Sequence, residues 1–99
     1  MKHEKFSSIV ERELLLHDEN SGKKSQLTVA IGTPYWTEIN FEAACPIALY
    51  GYHGRLADIR GIDPLSALSL AIQFQESLLL GLPKNLTVLW PNGERYFEE

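Results

Sequence analysis

The stretch Asp63–Leu82, DPLSALSLAIQFQESLLLGL, constrains this chain more than any other, because both of its ends are specified by local chemistry. Asp63 stands where an N-cap belongs, with a carboxylate able to accept from the free amides of a first helical turn. Pro64 follows at the first helical position, where a missing N–H costs nothing and φ is already set. Gly81 and Pro83 supply a stop signal. Leu, Ala, Gln and Glu fill the interior, and Ile72 is its one β-branched residue, so intrinsic propensity agrees with the capping. The spacing predicts one long helix over about 63–81.

The faces of that helix set what must surround it. At roughly 100° per residue, Ser66, Ser69, Gln73, Glu76 and Ser77 gather on a narrow polar arc. Leu65, Leu68, Ala71, Ile72, Leu78 and Leu79 lie opposite, and Ala67, Leu70 and Phe74 widen the apolar arc beyond half the helix. A sheet face covers a stripe of ~100°. The flank bearing Leu70 and Phe74 therefore calls for a further cover, either a second subunit or the C-terminal segment Trp90–Phe97. Gln75 falls inside the apolar arc and is expected to be a buried polar group. Leu80 falls inside the polar arc.

The remainder reads as strand and turn. Residues 6–16 alternate, with Val10, Arg12, Leu14 and Leu16 on one face, and residues 25–32 place Leu27, Val29 and Ile31 inward. The polar turn between them, which contains Gly22, makes them an antiparallel hairpin. Residues 33–40 form an irregular connection. Residues 41–50 read as a third strand with Phe41, Ala43, Cys45, Ile47 and Leu49 on one face. Pro46, which has no N–H for a ladder, marks an edge or a bulge there. Residues 55–62 make a short fourth strand. After the helix, LTVLW and RYFEE flank the turn sequence Pro91-Asn92-Gly93. The expected fold is a single α+β domain over residues 1–99, an antiparallel sheet of about five strands with the long helix packed across one face.

Several of these residues also form a pattern. Cys45-Pro46-Ile47-x-Leu49-x-Gly51, followed by Ile59-x-Gly61-Ile62-Asp63-Pro64-Leu65-x-Ala67-Leu68-x-Leu70-Ala71, resembles a family of short bacterial proteins grouped as a domain of unknown function. Ile31-Gly32-Thr33-Pro34 fits the end of that family's opening strand pair, and the likeness spans roughly residues 9–80. It implies the same architecture and a bacterial, cytoplasmic setting, and it carries over no catalytic residue.

Composition narrows the function classes. Of 99 residues, 44% are hydrophobic and 22% charged, an ordinary globular balance. The net charge is −4 with the basic residues scattered, which argues against nucleic acid, since phosphate binding needs clustered cations. One cysteine allows no intramolecular disulfide and suits a reducing compartment. The N-terminal MKHEKFSSIVERE has no apolar signal-peptide core. The helix carries too many polar side chains for a membrane span.

No motif carries recognisable chemistry, so no catalytic residue, cofactor or metal is expected. Cys45 lies in phase with inward positions and reads as an inert buried thiol. His3, His17 and His53 fall on a tail and two turns without metal-ligand spacing. The acidic run at Asp18 lacks the calcium-loop glutamate at its twelfth position, which is Val29. Glu11 and Glu13 share a strand face that reads as solvated. GYHGR lacks the end of a phosphate-binding loop.

One set of residues does suggest binding. Tyr35, Trp36, Tyr50, Tyr52, His53 and Arg55 sit on connections around the third strand, and Tyr, Trp and Arg are enriched at binding hot spots. They form a candidate interaction patch if the connections converge at one end of the sheet. The favoured reading is a non-enzymatic binding or interaction module that associates with itself, as a homodimer, or with another protein. An acidic immunity-type inhibitor of a basic toxin-like partner is one alternative. The other is a small-ligand-binding or enzymatic domain with a pocket between helix and sheet near Gln75, Arg55 or Arg60.

Overall fold

The computed structural model describes residues 6–97. Two long strands come first, β1 (Ser8–Asp18) and β2 (Lys23–Gly32), followed by four short ones, β3 (Tyr35–Glu38), β4 (Glu42–Cys45), β5 (Ile47–Tyr50) and β6 (Gly54–Arg55). Then come β7 (Ile59–Gly61), the helix α1 (Pro64–Leu80) and β8 (Leu86–Leu89). The strands form an antiparallel five-stranded sheet, β6-β5-β2-β1-β8, and a three-stranded sheet, β3-β4-β7. The α+β architecture is the one expected, with a second sheet in addition.

The second sheet exists because of Pro46. The expected single strand over residues 41–50 is two strands in different sheets, β4 in the smaller and β5 in the larger. Without an N–H, Pro46 cannot continue a ladder. Its carbonyl instead accepts from the Gly32 amide at 2.9 Å, and the chain crosses between sheets at this residue. Burial follows the crossover rather than strand alternation: Ala43, Ala44, Cys45, Ile47, Ala48 and Leu49 are all buried. Phe41, expected inward, is 72% exposed in the turn before β4. The fourth strand expected over 55–62 divides the same way, β6 pairing with β5 and β7 with β4. Residues 35–38, expected to be irregular, pair with β4 as an outer strand.

The β1–β2 hairpin is as expected, with Leu14 and Leu16 buried and opposite Leu27 and Ser25. Asp18 closes it: its carboxylate accepts from the Asn20 amide at 2.9 Å, and its carbonyl accepts from the Gly22 amide at 2.7 Å. β8 joins the other edge of β1. Beyond it the chain reverses through Pro91-Asn92-Gly93, where Gly93 takes φ +95°, and Arg95 makes a bridge to Leu89; among the described residues to Phe97 no further strand follows.

The helix begins as its sequence dictates. Asp63 is extended, and its Oδ1 accepts from the Ser66 amide at 2.7 Å. Gly81 ends it without entering the left-handed region, at φ −91°, and its amide donates to the Ser77 carbonyl at 3.0 Å. The helix lies nearest β7 and β4. Small residues permit that approach. A Cβ on Gly61 would stand 2.6 Å from the Ala67 nitrogen, so only glycine admits the first turn of the helix against β7. Ala67 and Ala71 pack there with Ile31, Ala43, Cys45 and Ile47. Further along, Leu79 joins a larger cluster with Leu14, Leu16, Leu27, Val29, Leu49 and Val88.

The buried stripe of the helix is narrower than its apolar arc. Its buried residues are Ala67, Ala71, Gln75 and Leu79, a run at every fourth position. Leu65 and Ile72, expected to face the sheet, are 76% and 48% exposed. The two small alanines draw the helix down along one line, and residues on either side of that line are left at the rims.

Candidate functional site

Two surfaces flank α1, one on each side of the buried line. On the first side, Leu70 is 43% and Phe74 39% exposed. The C-terminal segment Trp90–Phe97 does not cover them, contrary to one of the two covers expected. It packs on the opposite side of the helix, where Tyr96 and Phe97 join the cluster around Leu79. The reason is connectivity: β8 pairs with β1, and the Tyr96 amide donates to the Val88 carbonyl at 3.0 Å, which pins the segment near the Glu76 side. Leu70 instead lines an open depression with Phe41, Ile62, Ser66 and Gly61, rimmed by Glu38, Glu42 and Arg60. Ile62 is 72% exposed. Arg60 and Glu42 form an ion pair at 3.0 Å, and the hydrogen bond from Thr37, with Arg60 close by, holds the Glu42 carboxyl below its usual range.

On the second side, the helix stands off the hairpin and leaves a cleft of about 440 Å³. Val10, Val29 and Ile31 of the hairpin face Ile72, Gln75 and Glu76 of the helix across it. Gln75 is only 6% exposed. Its Nε2 donates to the Ile72 carbonyl and to Glu76 Oε1, each at 3.0 Å. These two acceptors set the amide's orientation and leave Oε1 buried without a donor. From Glu76 a chain of polar contacts runs to the cleft's rim. The Tyr96 hydroxyl donates to Glu76 at 2.8 Å, and Arg12 Nη1 donates to the Tyr96 oxygen at 2.5 Å. The Arg12 guanidinium also sits over the Trp90 and Tyr96 rings, 5.5 and 5.6 Å from their centres. Burial first, and then the Glu76 carboxylate, hold the Tyr96 hydroxyl above its usual pKa.

The aromatic patch is brought together only in part. Tyr35 donates to Asp58 Oδ2 at 2.5 Å and Arg55 donates to Asp58 Oδ1 at 2.8 Å, so these two meet on a carboxylate. Asp58 has no periodicity or motif around it, and only the pairing of β6 and β7 with different sheets reveals it as the meeting point. Burial raises its pKa, but the hydrogen bonds from Tyr35 and Arg55 and the nearby guanidiniums outweigh that and hold it below the usual value. Tyr52 and His53 stack edge to face at 4.5 Å in the turn after β5. Trp36 follows Tyr35 on the same short strand and so points to the other face. Tyr50 lies with Phe6 and Gly51 along a separate depression.

Cys45 is fully buried and its Sγ lies 3.5 Å from the Gly32 carbonyl. Burial, and then the negative Asp58, push its thiol pKa up, away from the reactive thiolate. His17, expected on a turn, is on β1 opposite Lys24. His3 lies outside the described residues. Glu13 accepts from Gln26 at 2.5 Å and from Thr28 at 3.1 Å, and Glu11 accepts from Ser8 at 2.7 Å. Among the described residues no three His, Cys, Asp or Glu side chains gather as a metal site would require, and no helix is long and apolar enough to cross a membrane.

No protein-family model, no curated protein and no solved structure matches this chain.

Proposed function

We propose that this chain is a non-enzymatic interaction module that associates with a second copy of itself through the Leu70 flank of α1. The observation that carries the reading is the depression where Phe41, Ile62 and Leu70 meet, with two of the three largely exposed. Contiguous apolar surface of this kind marks sites of association. Ile39, in the same turn as Phe41, and Phe74, one turn beyond Leu70, extend the apolar character on either side.

A second copy is favoured over an unlike partner by the rim. A two-fold interface must be complementary to itself. Here Arg60 and the acidic pair Glu38 and Glu42 border one apolar centre, so each copy offers both signs of charge to the other. A reducing, cytoplasmic setting and membership of the bacterial family suggested by the Cys-Pro and Gly-Ile-Asp-Pro segments belong to the same proposal. The single, buried, protonated cysteine supports the first, and the residues of those segments support the second.

Light scattering during size exclusion tests the association. A dimer is expected at ~100 μM, where even a micromolar Kd fills most sites. Leu70→Glu, at a half-exposed position, is expected to give a folded monomer. A wild-type protein that elutes as a clean monomer at that concentration overturns the proposal.

A further inference from the structure

We infer that the cleft on the other flank of α1, between Ile72, Gln75 and the β1–β2 hairpin, is a binding site for a small molecule with an aliphatic body and a protonated amine head. At about 440 Å³ the cleft falls within the ~300–1,000 Å³ typical of small-molecule sites. Val10, Val29, Ile31 and Ile72 supply aliphatic walls, and Val10 and Ile72 are each about half exposed at the mouth. An aliphatic body laid between them removes both from water.

The polar end of the cleft selects the head group. Gln75 spends both of its observed donor contacts on Ile72 and Glu76, and what remains is Oε1, a buried acceptor with no donor. An acceptor left so costs about 1–3 kcal/mol. A ligand N–H would remove that cost, once a side-chain movement at the cleft wall admits it. The cleft's charged residues are Glu11, Glu76 and Arg12, two carboxylates against one guanidinium. Arg12 is already engaged by the Tyr96 hydroxyl and the Trp90 and Tyr96 rings. Glu76 and Glu11 are engaged as well, Glu76 by Gln75 and Tyr96 and Glu11 by Ser8. The unmatched group is therefore the Gln75 acceptor, which calls for a donor, and the excess of one carboxylate over the guanidinium favours a donor with positive charge over a carboxylate or phosphate head.

This site is independent of the self-association face, which lies across the buried line of the helix, so either can fail without the other. The test is a titration of the full-length protein with hexylamine, hexanol and hexanoate, followed by two-dimensional amide NMR. Hexylamine is expected to bind with a Kd of about 1 mM, the scale for seven heavy atoms, and to shift the amide signals of Val10, Val29, Ile72 and Gln75. It should bind at least about fivefold more tightly than hexanoate. Gln75→Met removes the orphaned carbonyl at similar volume, so it should raise the melting temperature while cutting the preference for the amine to about twofold or less. Glu76→Gln, which keeps a hydrogen-bonding side chain, provides a second variant and should weaken the same preference. Equal affinity for hexylamine and hexanoate overturns the ligand class. Absence of saturable shifts at the cleft with all three probes overturns the site itself. A preference for the amine that survives both substitutions also refutes the inference.

Discussion

The Tyr96 hydroxyl donates to both oxygens of the Glu76 carboxylate, at 2.8 and 3.2 Å, and so ties the C-terminal turn to the middle of α1. It is a long-range polar tie between the helix and the segment that follows β8. Tyr96→Phe keeps the ring against Trp90 and Phe97 and removes only the hydroxyl. The expected loss is about 1.5–3 kcal/mol, the range for hydrogen bonds to charged groups. Urea unfolding checks it, and an unchanged midpoint would show the contact to be energetically silent.

Stability should fall at both ends of the pH scale, partly through one cluster. Asp58 has a folded pKa below its ordinary value of 3.8. Its contribution is therefore present above that value and is lost as pH falls through the lower folded one. Tyr35, raised above its ordinary 10.0 first by its bond to Asp58, behaves oppositely. Its contribution is present below pH 10 and is lost as pH rises through the higher folded value. Asp58→Asn should flatten part of the acid limb, with further parts from Asp18, held low by Asn85, and Glu42, held low by Thr37. Denaturation midpoints across pH 2–11 measure this, and an acid limb identical in Asp58→Asn would exclude the cluster.

Gly61→Ala tests the close approach of helix and strand. The added methyl would stand 2.6 Å from the Ala67 nitrogen and 2.9 Å from the Ser66 carbonyl carbon, both backbone atoms that cannot rotate away. Overpacking of this kind costs about 2–3 kcal/mol. Thermal unfolding should show the loss, whereas Gly22→Ala, with no atom within 4 Å of the added methyl, meets only the strain of its positive φ.

Cys45 should be unreactive in the folded state. Its thiol is buried and its pKa is raised by burial, so modification must wait for opening of the β4 segment. Reaction with a disulfide reagent should be slower than in denaturant by at least about a hundredfold. Comparable rates in the two conditions would mean that the crossover at Pro46 opens readily.

How much was legible in the sequence differs by element. Asp63, Pro64 and the β1–β2 hairpin were readable because their partners lie within a few residues: Ser66 for the cap, Asn20 and Gly22 for the turn. Cys45 is buried as expected, but through the crossover rather than through strand phase, since Ala44 beside it is buried too and Phe41, in the same phase, is exposed. The division of residues 41–50 between two sheets was not, since Pro46 announces a break in a ladder but not where the next strand goes. Of the aromatic patch, Tyr35 and Arg55 meet, and they do so on Asp58, a residue whose role no local pattern signals.

Local spacing and capping are enough to place the start and end of the helix, to put Gln75 among apolar neighbours, and to make the apolar arc wider than one sheet face covers. Each follows from helical spacing and from contacts within one or two turns. Which part of that arc is buried depends on contacts between distant segments. The close contact of Gly61 with Ala67 draws the helix down along its alanine line, and the pairing of β8 with β1 carries the C-terminal segment to the Glu76 side. Leu70 and Phe74 are left exposed on one flank and a cleft open on the other, because these are consequences of packing between distant segments, which no local spacing encodes.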